Sequence, residues 1–348
     1  YSKYDKSGQV SFTEPYLFDK NISGGIDIYR RDYNNGYFSS ATATYQQSTT
    51  GAQFRIGIPL SEYTSLLGTY TLNFDNVTLD KASYYTTDIT GAQTCNPLLA
   101  GRYLCDSVGS TTTSMIGGTL VYQNLDNALH PTRGRVANST FEIAGLGGTK
   151  HFIRIRNQAA EYWPVGHGFI FSIRAETGFI KGFGKNGPSS NEVLLTDRFF
   201  LGQPELRGFD YRGVGPRVIR RFYGTPGDES TLTGINDKNS SDDSLGGEGY
   251  YLGKFELGIP LGSGAHELGL RPSIFMDVGS VFGIKAPSLN VFPTGGFIPT
   301  RDTSGHALYT QIDAATTNTD GTCAITAVST VTTSVNPHPP ACLASPFN

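Results

Sequence analysis

Arg207 lies in the stretch 199–217, FFLGQPELRGFDYRGVGPR, beside Gly202, Gly208, Gly213 and Gly215 and between Pro204 and Pro216. Such a stretch cannot be a regular helix or a central strand. It reads as a loop that folds back and docks, because glycine lets the backbone turn sharply and approach other groups closely. A guanidinium offers a rigid fork of donors that fits a carboxylate. The chemistry on offer is therefore charge-assisted docking, with Arg207 as the docking group. Such docking needs a cavity and an acid from the rest of the chain. Phe209 either wedges the loop in place or covers apolar wall.

Other reactive types give less. His130, His151, His167, His266, His306 and His338 are scattered, with no H-E-x-x-H and no nucleophile elbow. Gly182-Phe183-Gly184-Lys185 lacks the spacing of a phosphate loop. The four cysteines fall in two local pairs, Cys95 with Cys105 and Cys323 with Cys342, each within one polar loop. That pattern fits disulfides formed in an oxidising compartment. The spacing of a C-x-x-C metal site is absent, and four free thiols are the alternative. No metal, cofactor or catalytic residue is expected.

A docking loop needs a wall, and the rest of the chain supplies one in strands. Period-two alternation recurs, and helical periodicity is nowhere sustained. Phe54, Ile56 and Ile58 alternate with Gln53, Arg55 and Gly57; Tyr70, Leu72 and Phe74 with Thr71, Asn73 and Asp75. Ile153 and Ile155 oppose Arg154 and Arg156, and Phe171 and Ile173 oppose Arg174 and Glu176. Late in the chain Tyr251, Phe255 and Leu257 share one face and Lys254 and Glu256 the other. Ile274, Met276 and Val278 then oppose Arg271, Ser273 and Asp277. Glu256 and Asp277 therefore lie on polar strand faces, on strands that follow the loop. Residues 284–348 are rich in Thr, Asn, Pro and Ala and show no convincing strand.

Composition narrows the class. Charged residues make up only 16% of the 348, aromatics 12%, and the formal net charge is −3. That charge leaves no footprint for nucleic acid. No run of about 18 apolar residues exists, so no transmembrane helix is expected. Short turns are expected near 15–22, 59–64, 126–134, 163–167 and 260–267. Long polar stretches are expected near 80–113, 181–197, 210–248 and 284–348. Short turns at one end and long loops at the other are the layout of an up-and-down barrel in an outer membrane. A soluble sandwich also alternates by face, but rarely sets several charges at mid-strand on one face. The fold class is all-β, a transmembrane antiparallel β-barrel.

These residues resemble a known family. Leu206-Arg207-Gly208-Phe209 is similar to the lid-loop motif of the BamA family of outer-membrane assembly factors, part of the bacterial surface antigen superfamily. Gly213-Val214-Gly215-Pro216-Arg217 is similar to the step that follows it, and Phe275-Met276-Asp277-Val278-Gly279 to a late-strand motif. Ser11-Phe12-Thr13-Glu14-Pro15-Tyr16 resembles an early strand and turn, and Pro131-Thr132-Arg133-Gly134 a periplasmic turn. The resemblance covers about residues 7 to 283.

The resemblance implies a sixteen-stranded barrel, of which this chain would hold about eleven strands and part of one more. The first strand, the last three and the periplasmic POTRA domains would be absent, and the chain reads as a fragment. The lid loop would span about 203–248, with long extracellular loops at about 80–113 and 284–348. Implied as well is a non-enzymatic role, folding and inserting β-barrel proteins into the Gram-negative outer membrane, with Arg207 bound to Asp277 and Glu256. Expected partners are unfolded outer-membrane proteins, accessory lipoproteins of the BAM complex, periplasmic chaperones reached through the POTRA domains, and outer-membrane lipid. The alternatives are a polypeptide secretion pore of the same superfamily, TamA-like or a two-partner transporter, and a passive porin.

Overall fold

The computed structural model describes residues 5–34, 45–87, 93–95, 100–186, 189–190, 193–220, 241–261 and 270–284, and the backbone of three strands within 297–331. Ten strands form one antiparallel sheet: β1 (Asp5–Glu14), β2 (Ser23–Asn34), β3 (Tyr45–Pro59), β4 (Thr64–Leu79), β5 (Gly109–Leu125), β6 (Gly134–Ala144), β7 (Phe152–Gly166), β8 (Phe169–Gly182), β9 (Gly249–Gly258) and β10 (Ser273–Phe282). Each strand pairs with its neighbours in chain order. That is up-and-down topology, with ten strands in the sheet against the eleven and part of a twelfth expected.

The two faces of the sheet are inverted relative to a soluble sandwich. Val10, Phe12, Ile28, Phe54, Phe74, Ile116, Phe141, Ile274 and Met276 all point outward and are exposed, Val10 at 75% and Ile274 at 66%. In water so large an apolar surface would be a sticky patch, whereas hydrocarbon welcomes it. The inner face carries the charges. Asp27, Thr71, Asp75 and Glu142 are buried there. Arg55 Nε lies 2.6 Å from Asp27 Oδ2, and Arg154 Nε 2.7 Å from Glu142 Oε2. No helix among the described residues is long and apolar enough to cross a membrane. The crossing elements are the strands, and β2 to β9 are each paired on both sides.

Turns follow from local chemistry. His167 and Gly168, both at positive φ, close the β7–β8 hairpin. Between β5 and β6, Asp126 accepts hydrogen bonds from the backbone N–H groups of Thr132 and Arg133 and from the Thr132 hydroxyl. The Thr132 hydroxyl and the Arg133 N–H together hold the Asp126 carboxyl down to about 2. The β9–β10 turn expected near 260–267 falls mostly outside the described residues.

The stretch expected as a polar loop from 80 to 113 is partly ordered structure. Asp80 caps a short helix, Lys81–Tyr84, by accepting from Ser83 N. Tyr85–Thr87 then pairs with Gln93–Cys95, and a second short helix covers Arg102–Cys105. β5 starts at Gly109, inside the stretch expected to be a polar loop. Thr111, Thr112 and Thr113 look polar in sequence, but β-branching suits them to a strand. Tyr45, Val77, Leu79, Ala100 and Leu104 form a buried cluster beneath this segment, with Cys95 and Cys105 packed against it.

Cys95 and Cys105 are bonded. Cys323 begins a strand, and Cys342 lies outside the described residues. Replacing Cys95 and Cys105 together by serine should cost about 2–3 kcal/mol, the usual scale for a short disulfide loop. The expected readout is a lower temperature for the loss of heat-modifiable gel mobility, with no further drop on adding reductant. An unchanged transition would mean that the cluster, not the bond, holds this segment.

The chain forms two compact units, Tyr1–Arg217 with Ser244–Ile284, and Val218–Asp243 with Lys285–Asn348. The second holds a three-stranded antiparallel sheet of Phe297–Arg301, Ala307–Thr317 and Cys323–Val331. This corrects the expectation of no strand beyond residue 284. Ile325, Val328 and Val331, with threonines between, carry β propensity that the polar composition of the region hides.

Candidate functional site

Residues 199–217, between β8 and β9, run along the inner face and double back. Phe199 and Gly247 exchange backbone hydrogen bonds at 2.9 Å each, and Val214 N donates to Leu201 O at 3.1 Å. Leu206 N donates to Gly202 O at 2.8 Å and Leu245 N to Pro216 O at 2.9 Å. The result is a self-bonded tongue, which satisfies backbone groups that would otherwise be stranded inside a barrel. Leu206, at 1% exposure, packs with Leu201, Leu252 of β9 and Val281 of β10. Those four side chains press the tongue against the wall.

Arg207 follows Leu206 and faces two acids. Its Nε and Nη2 donate to Asp277 Oδ2 and Oδ1 at 2.7 and 2.6 Å, a bidentate fork. Its Nη1 donates to Glu256 Oε2 at 3.1 Å, and its backbone N to Asp277 Oδ2 at 3.2 Å. The guanidinium carbon lies 3.5 Å from the centre of the Phe275 ring. Planarity allows all of this at once: the edge binds carboxylates while the face lies on the aromatic ring. Asp277 is nearly sealed, its side chain 3% exposed, and Glu256 remains half wet at 39%. Asp277 is therefore the partner whose charge most needs the arginine.

The glycines have separate tasks. Gly208 sits at φ +87° with open space around it, so backbone conformation alone requires glycine there. Gly215, at φ +116°, comes so close to β10 that a Cβ would lie 2.9 Å from the Cβ of Val281. Phe209 is 49% exposed at the tongue's end.

Of the residues singled out in the sequence, Leu206, Arg207, Gly215, Glu256 and Asp277 are brought together on one stretch of inner wall, and Gly208 makes the turn beside them in open space. Phe209 does not share the buried cluster of Leu206. Phe275 stands in the late-strand motif without a role of its own there, although strand parity signals one: an aromatic ring on the polar face of β10 asks for a partner. Arg198 is a second omission. It is buried, donates to Val193 O and Leu245 O at 3.1 Å each, and lies 4.1 Å from the Tyr103 ring centre. A third is Lys150, whose Nζ lies 3.0 Å from carboxylate oxygens of both Asp75 and Asp197. No cluster of metal-ligand type occurs among the described residues. The arrangement is suited to holding a loop against a wall.

Comparison with known proteins gives the same frame. The family described as "Omp85 superfamily domain" matches residues 1–295. The chain is 25% identical over 284 residues to the outer membrane protein assembly factor BamA of Neorickettsia risticii, covering 81% of this chain and 32% of that protein. The BamA of Neisseria meningitidis serogroup B is likewise 25% identical, over 288 residues, with 82% and 32% covered. The sorting and assembly machinery component 50 homolog of Xenopus tropicalis is 26% identical over 293 residues, covering 82% of this chain and 52% of that one. The crystal structure of BamA from Haemophilus ducreyi lacking POTRA domains 1–3 superposes with a TM-score of 0.61 at 19% identity, over 80% of this chain and 50% of that one. The chain thus spans about a third of the length of the BamA relatives named. With an up-and-down sheet, an apolar outer face and a family match across most of its length, the chain is an outer-membrane β-barrel protein and belongs to the Omp85 superfamily.

Proposed function

We propose that the protein of which this chain is part folds and inserts β-barrel proteins into the bacterial outer membrane, without enzymatic chemistry. The observation that carries this reading is the match of 81% of the chain to a protein named an outer membrane protein assembly factor. The physical task is clear. A client strand entering lipid must satisfy every backbone group, and it does so by pairing with an open barrel edge. The tongue of residues 199–217 acts as a lid loop. Through Arg207, Asp277 and Glu256 it braces the inner wall while such an edge opens. Its partners are unfolded outer-membrane proteins, the accessory lipoproteins of the assembly complex, chaperones that engage periplasmic POTRA domains, and the surrounding lipid. The stretches near 80–113 and 284–348 are assigned to the extracellular side.

The test uses the full-length protein in liposomes, offered an unfolded outer-membrane barrel protein. Accelerated appearance of the heat-modifiable, folded form of the client is the expected result. No acceleration, together with delivery of a passenger polypeptide across the bilayer, would move the protein to secretion.

A further inference from the structure

The loop's second arginine faces a different part of the wall. Arg212 holds φ at +52°, a region that non-glycine residues enter when contacts fix them there. Its guanidinium carbon lies 4.1 Å from the Phe200 ring centre and 5.3 Å from that of Tyr211. Its Nη1 donates to the Tyr45 hydroxyl at 3.3 Å. The Tyr211 hydroxyl lies 3.2 Å from that of Tyr33, and the Tyr33 and Tyr45 rings meet edge to face at 6.3 Å. Tyr33 belongs to β2 and Tyr45 to β3. Tyr45 is itself fixed, 5% exposed in a cluster with Val77 and Leu79.

Arg207 and Arg212 thus bind strands far apart in the sheet. In a flat sheet β3 and β9 would lie on the order of 30 Å apart, at about 4.8 Å per strand. The few residues from Arg207 to Arg212 reach at most about 17 Å. The two arginine side chains extend that reach, but the backbone here is turned rather than extended, Gly213 N donating to Asp210 O at 2.8 Å, so the sheet curls to bring both walls to the loop.

We infer that Arg212 is a second docking arginine, and that the loop is a cross-brace setting the distance between the β2–β3 wall and the β9–β10 wall. The inference deepens the proposed lid-loop role and rests on that reading for its effect on clients. Arg207 is held by carboxylates, whereas Arg212 is held by ring faces and a tyrosine oxygen. A lysine could supply the charge but not the planar stack. Arg212 is a positioning residue: it touches no client and acts by fixing the wall.

The test places spin labels at Ser48 of β3 and Ser280 of β10, in the full-length protein in liposomes, with Cys323 and Cys342 replaced by serine. A narrow distance distribution is expected for the parent. Arg212→Ala should broaden it, as Arg207→Ala does, and the double variant should be no broader than either, since releasing one end frees the brace. Losing the ring stack and the tyrosine bond should lower docked occupancy about tenfold. Arg212→Lys should also broaden the distribution. Tyr45→Phe, which deletes only the hydroxyl, should broaden it less, and it keeps the test open if the arginine variants fail to fold. A distribution left narrow by both Arg212→Ala and Tyr45→Phe, but broadened by Arg207→Ala, would overturn the second dock. Client folding is read on the same samples. A parent that is narrow but inactive toward clients would sink the assembly reading and leave the brace standing.

Discussion

Arg207→Ala in the full-length protein is expected to cut the rate of client folding by about thirtyfold, with the barrel itself still folded. The figure follows from the geometry. Truncating one partner of a hydrogen-bonded charge pair costs about 2–5 kcal/mol, largely because the other charge is left alone. Here Arg207 and Glu256 are partly wet, their side chains 32% and 39% exposed, which argues for the low end. About 2 kcal/mol is roughly thirtyfold in docked occupancy. Asp277, 3% exposed, is the acid left unpaired. Arg207→Lys should recover only part of the loss, because an ammonium cannot bind two acids edge-on and cover Phe275 with its face. Adding Asp277→Asn to Arg207→Ala should restore thermal stability without restoring client folding. Removing both partners of a pair is milder for stability than orphaning one. Client folding at the parent rate by Arg207→Ala would refute the lid-loop role.

That Asp277 and Glu256 lie on the inner wall was legible in the sequence, and the reason is geometric. A strand has a period of two, so Met276 and Val278 facing out oblige Asp277 to face in. The same parity places Arg154 opposite the lipid side, where it meets Glu142. Where the chain leaves the strands, this rule stops. Lys150 is one charged residue in the loop between β6 and β7, and nothing local marks it as buried. Its two acids come from β4 and from the short turn Leu195–Asp197, far away in sequence. Arg212 is obscured in the same way, since its partners Tyr45 and Phe200 are set by the fold. The threonines of early β5 mislead for another reason. Thr113 faces inward and is buried at 4%, where a hydroxyl is at home, so polarity was no evidence against a strand.

Lys150→Met should be the most destabilising single change in the described part of the barrel. The Lys150 side chain is 3% exposed, and those of Asp75 and Asp197 are 8% and 15%. Thr49 Oγ1 also donates to Asp75 Oδ1 at 2.6 Å. The ammonium ties three segments together: the β4 wall, the β6–β7 loop, and the turn that leads into residues 199–217. Without it, two carboxylates face each other with no cation between them. Breaking a buried ion pair on one side costs about 3–5 kcal/mol. The measurement is the temperature at which the folded form is lost on a gel. Lys150→Met with Asp75→Asn and Asp197→Asn should recover most of the loss, since no buried charge is then orphaned. The pH dependence has a definite sign. Burial draws the Lys150 pKa down, but the carboxylates of Asp197 and Asp75 outweigh it, and the net shift is upward. A raised lysine contributes its stability in full below the unfolded value near 10.4, and loses it only as pH climbs through the higher folded value. The gap between parent and Lys150→Met should therefore be constant across neutral pH and close only in strong alkali. A gap that already closes on going from neutral to mildly alkaline pH would mean that Lys150 is not held as an ammonium by these two acids.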